Sequence, residues 1–519
     1  MSSAGESQII PPPPHNDHRI SPWIDEQIWG HRLYDQSQWL LFLEFLTVAE
    51  ARHRDGRLLD KLNEQGGYYP LNFKPYKRMH LRNILFNNDE IFRIAEQHPD
   101  SESAWEAWLS WMAEKSQGIH TRDFSYLRNR FHSFAQFASL VSMVRRSNVE
   151  AGGNKRWSSR FVFPFGINAI YEDLIIGASG TAGRDYINFG RTGEMLYLML
   201  SRSSRAEELK PHLARIFESS NEWNELLLLM QPDTPDDTQT RGRSYLPYKW
   251  HETFDGLGED WLRVFRLRLP GFDSYPYLVA LAALHVVLYQ LNLALEWTGR
   301  QRKLHFICEV VAPKKTLVRE LSADNYLKNN LLPAQAVESY IDRIEQSDEW
   351  QRARSEHDAF LKCRQILDER VRWGARPGDY PGAGDPDQLM AALRETALRG
   401  HKQHAGNVHR SYGRDIGLVS KRGTNKLRYA PTDSLLKTLL LTNVEDRMEL
   451  GEFLEVLYER YGLVFGDREA EQVLAGDEFD KKAFQANAQR LERRLGSLGM
   501  LRRLSDGCAY VENPYGKNL

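Results

Sequence analysis

Between Lys481 and Arg494 the chain places Lys481, Lys482, Gln485, Asn487, Gln489, Arg490, Arg493 and Arg494 in one predicted helix. Arg, Asn and Gln can make paired hydrogen bonds to base edges in a DNA major groove, and Lys and Arg neutralise phosphates. Interleaved with them, Phe484, Ala488, Leu491, Leu495 and Leu498 recur at the spacing of one apolar helix face. The polar set is therefore expected away from that stripe, where a ligand can reach it. Arg502 and Arg503 follow closely and suit contact with backbone phosphates. Residues 481–503 carry seven Lys/Arg against Glu492, a formal +6, whereas residues 433–480 carry four against thirteen acids, a formal −9. That polarity leaves a second use open: the basic face could dock on the module's own acidic loop or on a partner protein.

A second basic stretch precedes this one. Residues 399–428 hold Arg399, Lys402, Arg410, Arg414, Lys421, Arg422, Lys426 and Arg428 against Asp415, a formal +7. Interspersed Gly and Asn point to a loop, and cations on an adaptable loop suit phosphate contact without base reading. The alternative is a solvated loop paired with acidic surface elsewhere, since residues 1–398 sum to −5. His401, His404 and His409 lie in the same stretch, but spacings of three and five without cysteine fit no standard metal-ligand set. No metal and no cofactor is expected.

Catalytic signatures are missing. There is no G-x-S-x-G, no H-E-x-x-H and no Cys/His nucleophile pattern. The glycine-rich run from Gly177 to Gly193 lacks the Gly-Lys-Ser/Thr ending of a phosphate loop, so it reads as a structural turn, with Arg184 or Arg191 open to anion contact. A site assembled only in three dimensions leaves little such trace, so an enzyme with an unrecognised site stays as an alternative. No small-molecule substrate is evident.

These residues need a frame to position them. Of 519 residues 41% are hydrophobic and 27% charged, the balance of a globular chain, and the net charge of −2 argues against a protein coated by nucleic acid over its whole surface. Three separated cysteines exclude a disulfide scaffold, and with no signal-peptide pattern a cytoplasmic location is expected. Residues 1–20, with a proline tract at 11–14, read as a disordered tail. Residues 21–230 read as a helical domain. It has an apolar helix from Trp39 to Ala51, a tryptophan stripe at Trp105, Trp108 and Trp111, and a long helix from Asp123 to Val149. Arg160 to Gly166 reads as a short strand. After a polar loop at 231–243, residues 245–373 form a central helical domain. Its run from Tyr277 to Trp297 is apolar but interrupted by His285, Gln290, Asn292 and Glu296, which favours a buried core helix over a membrane span. Leu304 to Val311 is expected as a buried strand. Residues 374–430 are the Gly/Pro-rich and basic linker, and 431–519 the final module. The fold class is mainly α, multi-domain, with a few short strands.

Within the module, helices are expected after Asp433 (the expected cap), from Glu449 to Tyr461, and from Lys481 to Leu498, with a loop of about 17 residues before the last. Asp506-Gly507 between Leu501–Ser505 and Cys508–Glu512 is a strong hairpin signal. Three helices running into a hairpin, with LERRLGSLGMLRRLSDGCAYVENP at the junction, resembles the winged-helix superfamily. The long insertion departs from its compact form. The resemblance implies that the third helix enters the major groove while Arg502 and Arg503 on the wing touch backbone. The stretch GRDIGLVSKRGTNKLRYAPTDSLLKTLLL resembles proteins of prokaryotic antiviral defence clusters and brings no catalytic residue with it. Together these readings describe a non-enzymatic subunit that binds double-stranded DNA within a multi-protein complex. The alternative is a scaffold whose winged helix binds a partner protein.

Overall fold

The protein is described here by a computed structural model covering residues 9–10, 21–31, 33–62, 65–68, 71–74, 84, 89–115, 123–146, 174–176, 182–184, 192–218, 222–232, 241–270, 273–376, 378–421, 426–476, 478–505 and 508–516. It is mainly α-helical, and its strands span two to five residues.

The helix Tyr275–Trp297 forms the axis of the main core. Pro276 sits in its first turn, where a missing N–H costs nothing. By length and composition this helix could cross a membrane, yet 89% of its apolar window is buried inside the protein. Its polar interruptions are used there: Gln290 Nε2 donates to the Ala405 carbonyl at 2.7 Å, and His285 Nε2 lies 2.7 Å from Asp260 Oδ2. Helix Gln38–Arg54, capped by the Ser37 side chain, is apolar nearly all round because it is enclosed between the axis and helix Thr192–Ser201. Gly193 permits that approach, since a Cβ there would fall 2.5 Å from the Glu44 Cβ.

The tryptophan stripe builds a second, separate core. Trp105 and Trp108 are buried, with the Phe137 ring 5.2 and 5.1 Å away, and Leu227 and Met230 complete the cluster. The single long helix expected over 123–149 is instead a 3-10 turn, Ser125–Arg130, and a helix, Phe134–Arg146. Local capping divides it: Asp123 accepts from the Ser125 N–H at 2.8 Å, and Ser133 from the Gln136 N–H at 3.2 Å. The strand expected at Arg160–Gly166 lies outside the described residues, as do the N-terminal tail, apart from residues 9–10, and most of the Gly177–Gly193 run.

Within Leu304–Val311 only Phe306–Ile307 is strand, and it pairs in parallel with Leu463–Val464 of the final module. Gly462 makes this possible: it stands at φ +71°, and a Cβ would lie 2.3 Å from the Leu304 carbonyl oxygen. The expected basic loop is largely ordered into helices. Helix Pro386–Gln403 starts at the Asp385 cap, and after a 3-10 turn helix Val408–Asp415 follows. Strands Val419–Ser420 and Arg428–Tyr429 then pair antiparallel. Burial of Leu389, Leu393, Val408 and Tyr412 against the core outweighs the glycine content of this stretch.

The module itself runs Asp433–Asn443, strand Arg447–Glu449, Leu450–Tyr461, the short Leu463–Val464 strand, Asp467–Val473, Lys481–Ser497, and strands Leu501–Ser505 and Cys508–Glu512. Thr432 rather than Asp433 caps its first helix, through a hydroxyl that accepts from Leu435. The strand Arg447–Glu449, invisible to the sequence reading, joins the hairpin to make a three-stranded antiparallel sheet with Cys508–Glu512 in the middle. The Asp506-Gly507 turn lies outside the described residues.

Candidate nucleic-acid interface

Helix Lys481–Ser497 begins at Asp480, whose carboxylate accepts from the Ala483 N–H at 3.1 Å. Its inner face is Phe484, Asn487, Leu491 and Leu495, all buried. Asn487 has no exposed surface, and its amide is fully used: Oδ1 accepts from the Val310 N–H at 2.8 Å, while Nδ2 donates to the Cys308 and Phe465 carbonyls at 2.9 and 3.0 Å. It joins this helix to the central strand and cannot also meet a base edge. Arg490, half-buried, donates to the Val310 carbonyl at 3.2 Å, and burial pulls its pKa below the usual arginine value. Arg494 donates to Asp433 at 2.5 Å and to the Pro431 carbonyl at 3.0 Å. One flank of the helix is therefore committed to the protein's own interior.

The opposite flank is open. Lys481, Lys482, Gln485, Gln489 and Arg493 are exposed, and positions 482, 485, 489 and 493 follow one another along a single helix face. Arg502 and Arg503 stand exposed on strand Leu501–Ser505, which begins just past the C-terminus of that helix. Contacts with nearby acids temper the charge. Gln485 Nε2 donates to Asp467 Oδ2 at 3.1 Å, and Arg503 Nε lies 3.5 Å from Glu492 Oε1. Both are surface contacts that a phosphate can displace at little cost.

The earlier basic stretch divides in the same way. Arg410 and Arg414 on helix Val408–Asp415 are exposed, with Arg410 donating to Asn407 Oδ1 at 2.7 Å; Lys421 and Lys426 are exposed beside the strand pair. Arg422 lies outside the described residues. Arg428 is the second correction: it is 1% exposed and paired with the wholly buried Glu309, so its charge is spent inside the fold. The candidate interface is drawn without Asn487 and Arg428. A purely chemical reading of side-chain type could not separate them from their neighbours. For Asn487, the apolar stripe Phe484–Leu491–Leu495 on either side was the available signal.

The three histidines do not converge. His401 Nδ1 is 2.9 Å from Asp25 Oδ1, His404 stacks on Tyr34 at 4.2 Å, and His409 is sealed beneath Tyr429 with its Nε2 2.9 Å from the phenol oxygen. Among the described residues no group of three or more His, Cys, Asp or Glu side chains is placed to hold a metal ion.

One buried network went unnoticed in the sequence. Asp260 has no exposed surface and accepts from His285 Nε2, from Arg460 Nη2 at 2.5 Å and from the Tyr461 hydroxyl at 3.0 Å. Burial alone would raise the Asp260 pKa. Hydrogen bonding from His285 and the positive charge of Arg460 outweigh it and hold the carboxyl below its usual range. The four residues come from three helices, and Arg460 and Tyr461 stand 200 and 201 residues from Asp260, so no local pattern announces them.

A family model described as "Methylation-associated defense system protein MAD7" matches residues 388–515, a segment that contains every candidate interface residue named above. No curated protein and no solved structure matches the chain.

Proposed function

We propose that the chain is a DNA-binding subunit of a methylation-associated defence system, with its C-terminal module acting as a winged helix. The similarity of residues 388–515 to a defence-system family supports the setting. The order helix, strand, helix, helix, strand, strand, with the first strand closing the hairpin into a three-stranded sheet, supports the winged-helix reading. The insertion that separates its second and third long helices is Leu463–Val473, and it is used to dock the module on the central strand.

The observation that carries the DNA reading is the one-sided exposure of helix Lys481–Ser497. Lys482, Gln485, Gln489 and Arg493 face solvent as one stripe, while Asn487, Arg490 and Arg494 clamp the other flank. Such a helix is held rigidly and presents a row of donors to a groove, with Arg502 and Arg503 in reach of the adjoining backbone. The cations on Arg410, Arg414, Lys421 and Lys426 extend the phosphate-binding surface. Any chemistry on the bound DNA falls to partner subunits.

The test is binding of a short labelled duplex at two salt concentrations, beside a variant with Lys482, Arg493, Arg502 and Arg503 changed to Ala. The reading requires salt-sensitive binding that weakens in the variant, with a shallower dependence on salt. No binding at low salt sinks it for duplex DNA. A second reading, that this face docks an acidic protein, is favoured by the acids already touching it, Asp467 and Glu492. That reading gains if the variant loses a partner subunit while duplex binding is nil.

A further inference from the structure

A half-open cavity of about 380 Å³ lies between residues 21–34 and the last turns of helix Pro386–Gln403, and none of its lining residues is on helix Lys481–Ser497 or its hairpin. Its walls include Asp25, Tyr34, Thr396, Arg399, His401 and His404. The volume falls within the range of small-ligand sites, roughly 300–1,000 Å³.

His401 is the centre of the cavity's chemistry. It is 4% exposed, and its Nδ1–H donates to Asp25 Oδ1 at 2.9 Å. A carboxylate on Nδ1 fixes the tautomer and leaves Nε2 as an acceptor. That Nε2 has no hydrogen-bond partner among the described residues. On one side its approach is kept open by Gly406, where a Cβ would stand 3.1 Å from it. As an acceptor that water can reach, it is open to a ligand's donor.

The rest of the cavity supplies two other kinds of contact. Tyr34 and His404 stack with centroids 4.2 Å apart and planes within 13°. The tyrosine is held in place through its backbone: its N–H donates to Thr192 Oγ1 at 3.1 Å, and its carbonyl accepts from the Tyr412 hydroxyl at 3.3 Å. Such a pair is a flat platform on a fixed backbone. Arg399 stands exposed at the rim, restrained among the described residues by Thr396 at 3.3 Å and Glu395 at 3.8 Å, both weak surface contacts. A platform for a planar ring, an acceptor for a ring N–H or amino group, and a guanidinium for an anion are together the needs of a nucleotide.

We propose that this cavity binds one nucleotide unit, with its base on the Tyr34–His404 platform and hydrogen-bonded to His401, and its phosphate at Arg399. The unit is either a free mononucleotide or the terminal nucleotide of a strand, since both present the same groups. The proposal is independent of the third helix and its groove.

The experiment is isothermal titration of the full chain with the 5′-mononucleotides, with inorganic phosphate, and with a 5′-phosphorylated single-stranded decamer. Arg399→Ala, His404→Ala and His401→Gln are compared with wild type, and Arg352→Ala, an exposed cation outside both sites, serves as the control. A mononucleotide or the decamer is expected to bind. Affinity should fall about tenfold or more in Arg399→Ala and His404→Ala, as for loss of one ionic or stacking contact, and hold in the control. Arg399 is exposed and His404 half-buried, and denaturation midpoints equal to wild type in these variants separate loss of binding from unfolding. Binding of free mononucleotide that falls in the rim variants identifies a small ligand, and binding of the decamer alone that falls in them identifies a strand end; both uphold the cavity's chemistry. The proposal is overturned if neither binds, if affinity survives in both rim variants, or if phosphate alone binds as tightly as the nucleotide.

Discussion

Arg460 Nη2 reaches Asp260 Oδ1 at 2.5 Å across 200 residues of sequence, and so ties the C-terminal module to the helix Glu252–Arg266 beside the main core. Asp260 is wholly buried, so its charge depends on this partner and on His285.

Arg460→Leu is expected to destabilise the protein by about 3 kcal/mol, because it strands a buried carboxylate. Equilibrium urea denaturation measures it. The Asp260 pKa is held below its unfolded value, so its contribution is fully present above about pH 4 and is lost as pH falls toward the folded value. In Arg460→Leu the acid loss should begin at a higher pH than in wild type. Superimposable pH profiles would show that the pair does not act as described.

His409 supplies a second pH dependence. Burial pushes its pKa down to about 3, and it sits neutral with its Nε2 accepting from the Tyr429 hydroxyl. A histidine depressed in the folded state is protonated first in the unfolded chain. Its contribution is therefore complete above about pH 6.5 and falls with pH below that, by about 2 kcal/mol at pH 5. His409→Gln should flatten the stability profile between pH 6.5 and 5, read from denaturant midpoints. An unchanged slope refutes the assignment.

Asn487 and the exposed cations separate structure from binding. Asn487→Ala leaves the Val310 N–H and the Cys308 and Phe465 carbonyls unpaired in the core, at a cost of about 2–4 kcal/mol. Lys482→Ala/Arg493→Ala touches only solvent-facing groups and should shift stability by no more than about 0.5 kcal/mol. Denaturation of both variants decides the matter: equal midpoints would mean that Asn487 is not the clamp its geometry indicates.

Gly462→Ala tests the strand link between the central region and the module. A methyl group at φ +71°, 2.3 Å from the Leu304 carbonyl, forces that strand pair apart and costs more than about 1 kcal/mol. Faster hydrogen exchange at the Phe306 and Cys308 amides, which donate to Gly462 and Val464, is the local signature. Protection equal to wild type would mean that the chain accommodates the side chain elsewhere.

Periodicity was a sound guide wherever a helix buries one face or all of itself. The Tyr275–Trp297 axis, the tryptophan stripe and the helix Lys481–Ser497 were each legible from apolar spacing, and the hairpin from a turn dipeptide between two short strands. It misled where capping cut a helix, at Asp123 and Ser133, and where glycine content in 399–428 hid helices that core contacts stabilise. The strand Arg447–Glu449 has no periodicity of its own to show; its partner across the sheet defines it.

The same division runs through the candidate site. Sequence alone determined which side chains could contact nucleic acid and that they crowd onto one helix and its hairpin, because residue type and a 3.6-residue repeat are local properties. Only the tertiary structure decided that Asn487 and Arg428 turn inward, that Arg490 and Arg494 are clamps, and that Asp25 meets His401. Burial and pairing depend on what arrives from distant parts of the chain. Val310, Glu309 and Asp25 lie more than a hundred residues from the groups they engage, and Asp433 lies 61 residues from Arg494.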